Sequence, residues 1–369
     1  MRVRKAYIAV LILSLLIVDE SSPFLLRPAS AKTLFSKSFW LRIFKALRTL
    51  NFSKISKALD KLRSFLHSNG GSIARGVVVE GLSIVKDYLD LFGFLDSASN
   101  ANSTDEFSAD LESAIKFFQK TFQLNVTGQP DNATVSMITL PRCGLPDVIN
   151  GSSTLPENHT TSFTKWRSEG KKELTYAFSP ENETGIFMRE LFAGAFRRWS
   201  EVTRLNFTET TSFNECDIQI TFLSLDGSLG VVGGAWVDNT TRNWDVVLDS
   251  DEKWMFPSEN MTGNNELDLE SVAMHHIGHV LGLNHSAMQG AVMYPFFAPS
   301  NNNRKVDFAE DDLDKIRQLY STKSKSNSSK SGLAPVQSPL SKEGGVPGVG
   351  PRWGLVSTLW LGIIWLFWF

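Results

Sequence analysis

The stretch that most constrains this chain is residues 275–295, His-His-Ile-Gly-His-Val-Leu-Gly-Leu-Asn-His-Ser-Ala-Met-Gln-Gly-Ala-Val-Met-Tyr-Pro, which holds four of the six histidines. His275 and His279 stand four apart, and on a helix that spacing stacks two imidazoles over one point. Val272, Ala273, Ile277, Val280 and Leu281 give the segment the apolar run of a helix buried on one side. Gly282 can take a positive φ and end that helix, which lets His285 turn back as a third ligand. The plain alternative is a histidine-rich helix end with satisfied core rings. A paired i, i+4 set followed by a glycine and a third histidine fits one metal ion better.

The pattern resembles the metzincin zinc signature H-E-x-x-H-x-x-G-x-x-H, with Met293 in Ala-Val-Met-Tyr-Pro as the later Met-turn. One position departs, because His276 stands where that family has glutamate. Upstream, Pro141-Arg142-Cys143-Gly144-Leu145-Pro146-Asp147 resembles the cysteine switch P-R-C-G-x-P-D of the matrix metalloproteinases at every fixed position. A thiolate is a strong zinc ligand, so the resemblance implies that Cys143 fills the fourth position of the site in a latent form. Arg142 and Asp147 are suited to pair and fix the loop. Two cysteines make no disulfide scaffold, and with Cys143 committed to the metal, Cys216 reads as a buried free thiol.

The element pattern predicts helices over about 81–95 (Leu82, Val85, Leu89, Phe92 on one face) and 107–122 (Leu111, Ala114, Ile115, Phe118, Phe122), then a third short helix after Thr127-Gly128 and Pro130-Asp131. This three-helix unit, about 80–140, looks like the peptidoglycan-binding-like fold of matrixin propeptides. Further on come strands at 174–178, 218–223, 231–237 and 246–248. A helix over about 184–202 has the stripe Ile186, Leu191, Phe192, Ala195 and Trp199. The histidine helix covers about 267–281 and a last helix about 308–320. The resemblance, over roughly residues 80–322, is to plant membrane-anchored matrixins and implies an α+β fold, a twisted mostly parallel sheet with three helices. The implied division is a propeptide over 32–147, a linker over 148–164, a metallopeptidase domain over 165–322 and a polar spacer over 323–352. Residues 32–75 are basic and apolar with helical spacing in places, and their basic face reads as solvated surface rather than a binding site.

The second, structural zinc of that family needs histidines this chain lacks, since outside 275–285 it has only His67 and His159; Gly234 and Val247 stand where the family has two of them. Asp226, Gly227, Asp249 and Glu252 match the family's calcium ligands and are oxygen donors of the right kind, or else are ordinary surface acids. In the family the glutamate takes a proton from water and passes it to the leaving nitrogen. Imidazole is shorter, stiffer and neutral when it acts as a base, and a nearby cation lowers its pKa further, so His276 is a weak base there. Two functions stay open. One is a zinc endopeptidase of reduced activity; the other is a zinc-binding pseudoprotease that holds peptides or partner proteins along the strand near Gly233–Val237. The pocket around Val272, Tyr294 and Pro295 indicates an apolar substrate side chain.

Composition is ordinary for a globular protein, and a net charge of −2 argues against a nucleic-acid partner. Arg2, Arg4 and Lys5 precede an apolar run from Ala6 to Val18 and then Ala29-Ser30-Ala31, which reads as a secretory signal over 1–31 or, less well, a short membrane anchor. Twelve Asn-x-Ser/Thr sequons accord with export and a glycoprotein, Asn284 excepted because it lies inside the histidine loop. Residues 353–369 carry no charge and follow a polar spacer, which reads as a GPI-attachment signal or a retained anchor. The expected place is the extracellular face of the plasma membrane or the extracellular matrix.

Overall fold

The computed structural model describes residues 52–96, 100, 103–149, 152–153, 170–182, 184–237, 243–256, 265–297 and 304–320. The expected signal over 1–31, most of the linker, the spacer and the tail lie outside the described residues. Among those described, no helix is long and apolar enough to cross a membrane.

The N-terminal part is helical: α1 Phe52–Ser68, α2 Leu82–Leu91, α3 Ala109–Thr121 and α4 Asn132–Ile138. The side chains of Ser108 and Asp131 accept from Leu111 N and Thr134 N, so each caps orphan amides where α3 and α4 begin. All the predicted face residues of α2 and α3 are buried. The basic face expected within 32–75 is exposed at Lys57 and Lys61, while the other face of α1 buries Leu59, Leu62 and Leu66 and packs on α2 and α4. Its 3.6-residue leucine stripe, rather than its charges, decides its place, while Lys61 and Arg63 pair on the outside with Glu80 and Asp60.

The chain then enters a six-stranded sheet of order β1-β7-β8-β6-β4-β5. Its strands are β1 Arg142–Cys143, β4 Glu173–Phe178, β5 Asn206–Glu209, β6 Ile218–Leu223, β7 Val231–Val237 and β8 Trp244–Asp249. Short β2 Val148–Ile149 and β3 Ser152–Ser153 pair with each other, as do β9 Lys253–Met255 and β10 Glu266–Asp268. Every pairing in the large sheet is parallel except β7 with β8. Three helices complete this part: α5 Ile186–Thr203, α6 Leu269–Val280 and α7 Glu310–Tyr320. Helix α6 lies against β7, β8 and α5, and α5 also meets β5 and α7. This is the expected α+β architecture with a mostly parallel sheet.

Ile186 is not part of the buried stripe of α5. It is the first helical residue, ahead of the packed turns, and is 67% exposed; Phe196 takes its place among Leu191, Phe192, Ala195 and Trp199. The histidine helix starts two residues later than predicted because Asp268 caps Ser271 N at 3.0 Å, leaving Glu266–Asp268 to pair as β10.

One glycine ties the helical unit to the segment that follows. Gly93 has φ +84°, and a Cβ there would sit 2.1 Å from the Val148 carbonyl oxygen. The neighbouring Phe92 carbonyl accepts from both Asp147 N and Val148 N. Gly93→Ala is therefore expected to lower the stability of the full chain by more than about 1 kcal/mol in urea unfolding. An unchanged midpoint would show that this contact does not matter.

Candidate metal centre

Helix α6 is buried along its whole length, and its three histidines are almost completely inaccessible. His275 and His279 reach one side of it as their spacing requires, with Nε2 atoms 3.0 Å apart. The helix ends at Val280, and Gly282, at φ 96°, turns the chain so that His285 comes back beside them. Met293 lies beneath: a Cβ on Gly278 would meet its Sδ at 2.3 Å, so the glycine between the two helical histidines is what admits the methionine.

The segment 141–147 is held as an added strand. Cys143 pairs with Gly233 in the parallel β1–β7 register, and Arg142 forms an antiparallel bridge with Phe296 on its other side. Arg142 N donates to Gly230 O, Cys143 N to Pro295 O, Gly144 N to Gly233 O and Phe297 N to Pro141 O, each between 2.8 and 2.9 Å. This clamp brings Cys143 Sγ to 3.6 Å from His279 Nε2. One ligand atom from each of Cys143, His275, His279 and His285 lies within 4.8 Å of the others. A tetrahedral zinc site with bonds of ~2.0–2.1 Å to nitrogen and ~2.3 Å to sulfur has edges of about 3.3 Å and about 3.6 Å. The His275–His279 separation of 3.0 Å and the Cys143–His279 separation of 3.6 Å lie close to those edges.

Protonation fits as well. His275 Nδ1 is 2.8 Å from Val292 O and His279 Nδ1 2.8 Å from Leu283 O. His285 Nδ1 is 2.8 Å from Asp147 Oδ1. Each contact calls for a proton on Nδ1, which leaves the Nε2 lone pair for a metal. The buried Nε2 of His285 has no hydrogen-bond partner at all. Burial, with the neighbouring imidazoles adding to it, pushes His275 and His279 well below the usual histidine range, so both are neutral. Burial pushes the Cys143 thiol up to about 12, so a cation is what would make it a thiolate.

His276 stands apart from this ligand set. Its Nδ1 is tied at 2.8 Å to the carbonyl of Val272 on its own helix, and its Nε2 lies 3.9 Å from Cys143 Sγ. Burial lowers it to about 4, against backbone groups of Val272 and Gly233 that favour the charged form. A Cβ on Gly233 would come 3.2 Å from that Nε2, so the ring is hemmed in from the strand side.

The segment 141–147 also carries a buried ion pair. Arg142 donates to Asp147 Oδ2 at 2.7 Å, to Tyr88 Oη at 2.9 Å and to the Cys143 carbonyl at 3.1 Å, and lies 3.4 Å over the centre of the Phe92 ring. Burial alone would raise the Asp147 carboxyl; Arg142 and His285 together hold it below the usual carboxylate range. The Arg142–Asp147 pair is readable from sequence. The bond from Asp147 to His285 is not, because nothing in the spacing says which carboxylate orients which ligand. Asp312 is a second such case: its carboxylate accepts from Val292 N at 2.8 Å and Met293 N at 3.1 Å, and so fixes the methionine turn from α7.

Asp226, Asp249 and Glu252 gather about the loop that leads into β7. Asp226 accepts from Val231 N at 3.0 Å, Asp249 from Asp251 N at 2.9 Å and Glu252 from Leu229 N at 2.9 Å, while Gly227 turns the loop at φ 92°. The second oxygen of Glu252 is buried without a partner, a position suited to a cation. Burial first, then mutual repulsion, pushes Asp226 up to about 8 and Glu252 up to about 7. Because these folded-state values exceed the unfolded ones, the stability they support is full below pH ~4 and lost as pH rises toward ~8. Calcium should offset that loss. Added Ca²⁺ is expected to raise the melting temperature more at pH 8 than at pH 5, and an equal shift at both would count against a cation on this loop. Gly234 and Val247 lie opposite each other in the β7–β8 register.

Comparison with known proteins agrees with this geometry. The matrixin peptidase family model matches residues 165–321, and a putative peptidoglycan binding domain matches residues 79–138. Metalloendoproteinase 5-MMP of Arabidopsis thaliana is 39% identical over 268 residues, 66% of this chain and 72% of the relative. Metalloendoproteinase 1 of Glycine max is 39% identical over 264 residues, 65% and 82% of the two chains. Metalloendoproteinase 2-MMP of Arabidopsis thaliana is 35% identical over 285 residues, 69% and 74%. With most of such relatives' length matched and with the sheet, helices and histidine cluster in place, the chain belongs to the matrixin family of zinc metalloproteases.

Proposed function

We propose that this protein is a secreted, membrane-tethered matrixin precursor that holds one zinc on His275, His279 and His285, is kept latent by Cys143, and hydrolyses peptides slowly because His276 replaces the family glutamate. The observation that carries the reading is the meeting of Cys143 Sγ with three imidazole nitrogens within 4.8 Å. Zinc bound there would polarise the carbonyl of a scissile peptide. The chain's own residues do the rest. An extended substrate would take the place of residues 141–144 beside β7, using backbone groups such as Gly233 O, Gly230 O and Pro295 O that now accept from the switch. Tyr294 and Val272 would wall the pocket for an apolar side chain. His276 would receive a proton at Nε2, since its Nδ1 is engaged with Val272, but a group held near 4 is a poor acceptor at neutral pH.

That same feature supports the second reading, a pseudoprotease that binds a peptide or partner protein in the cleft without cutting it. Calcium on Asp226, Gly227, Asp249 and Glu252 would stiffen the loop entering β7 in either case. The leader, sequons and C-terminal tail support export and a GPI anchor.

The test uses the full chain, opened by limited trypsin digestion in the basic region around Arg167 and Lys171, with bound zinc quantified and a quenched peptide as substrate. Slow turnover abolished by a chelator is the expected result. Zinc bound at one equivalent with no turnover would favour the pseudoprotease, and no zinc bound would remove both readings.

A further inference from the structure

The outer nitrogens of the three histidines are not held alike. Those of His275 and His279 are held by carbonyls of Val292 and Leu283, which belong to the same stretch of chain as the histidines. That of His285 is held by Asp147, which belongs to the switch. Asp147 is fully buried, gives its other oxygen to Arg142 and donates its N–H to Phe92 O. It is therefore tied to the helical unit through Phe92 as well as to His285.

Resting on the reading of the cluster as a zinc centre, we infer that Asp147 is a positioning residue for His285, so that the propeptide contributes two atoms to the centre, a ligand sulfur and an outer carboxylate oxygen. The chemistry is that of outer-shell control. A carboxylate on Nδ1–H fixes the tautomer with its lone pair on Nε2, fixes the ring plane and raises the basicity of the ligand; loss of such a partner costs about 10–100-fold in metal affinity. Opening the latch would remove both contributions at once. His285 alone would then be free to carry its proton on either nitrogen, and the opened protein would surrender zinc more readily than loss of the thiolate accounts for. The propeptide thus acts as a device that retains the metal as well as one that blocks the cleft.

The experiment compares zinc affinity in the full chain by competition with a chromogenic chelator, in a Cys143→Ser background where the thiolate is already gone. Adding Asp147→Ala is expected to weaken zinc by about 10–100-fold, and Asp147→Asn, which keeps a neutral acceptor, by less. Because Asp147→Ala strands Arg142, the same loss is expected with Arg142→Met added, where no buried charge is left unpaired. A second readout is the Nδ1–H resonance of each zinc-bound histidine, read by NMR: that of His285 should move while those of His275 and His279 stay. Equal affinity with and without Asp147, or movement of all three resonances together, would overturn the inference and leave the zinc centre intact. Absence of zinc from the unmodified chain would instead remove the centre itself, and the inference with it.

Discussion

Replacing His276 with glutamate is expected to raise kcat/KM of the opened protein toward a quenched peptide by about 10²-fold or more, the scale on which a well-placed general base contributes. The position is right for such a base: the His276 ring reaches to within 3.9 Å of Cys143 Sγ, beside the place a departing thiol would vacate. The present residue is wrong for the task. Its Nδ1 is tied down on Val272 and burial keeps the ring neutral, so it offers neither a charged acceptor nor freedom to move toward the reacting water. Glutamate restores a charged acceptor on a flexible stem, and the gain should vanish with chelator. A His276→Glu protein with no more turnover than the parent would show that the lost carboxylate is not what limits hydrolysis.

The second large effect concerns latency. Arg142→Met takes from the buried Asp147 carboxylate the cation that balances it and removes the guanidinium from beside the Phe92 and Phe296 rings, whose centres lie 3.4 and 4.8 Å from it. Breaking one partner out of a buried ion pair costs about 3–5 kcal/mol. Most of that should fall on the docked position of residues 141–147. In a Cys216→Ser background, the rate at which a thiol reagent modifies Cys143 is expected to rise by about 10²-fold or more, since each ~1.4 kcal/mol is tenfold. A rate like that of the parent would mean that the strand pairing with β7 holds the switch without the ion pair.

Much of this arrangement is readable from the chain alone, for definite reasons. The meeting of His275, His279 and His285 follows from helical spacing and a glycine, whereas the docking of 141–147 against them is to be expected only from the resemblance of seven consecutive residues to a known motif. The strands at 218–223 and 231–237 are bounded as predicted because apolar β-branched runs end at turn residues there. The burial of α1 is missed because its three buried leucines are spaced among many charges, and only the presence of α2 and α4 makes that stripe a core. The role of Asp147 toward His285 is missed for a similar reason: the two are 138 residues apart, and only docking of the helical unit brings them together. Ile186 errs the other way, since periodicity says which side of a helix is apolar and not where the neighbouring sheet stops covering it.

Phe122, at the end of α3, sits edge-on against Phe296 with ring centres 5.0 Å apart, and against Tyr294 at 6.3 Å. On its other side it meets Phe118 and Phe94, which continue to Phe117. One run of aromatic rings therefore passes from the middle of the helical unit to the wall of the cleft, with Arg142 lying against its Phe296 end. Cutting the chain between the two parts leaves the helical unit free to depart, and this apolar seam sets how slowly it does so. Release needs the seam to be peeled, and once peeled, Tyr294 and Phe296 become a greasy lip at the mouth of the cleft that an apolar peptide can wet more readily than water can.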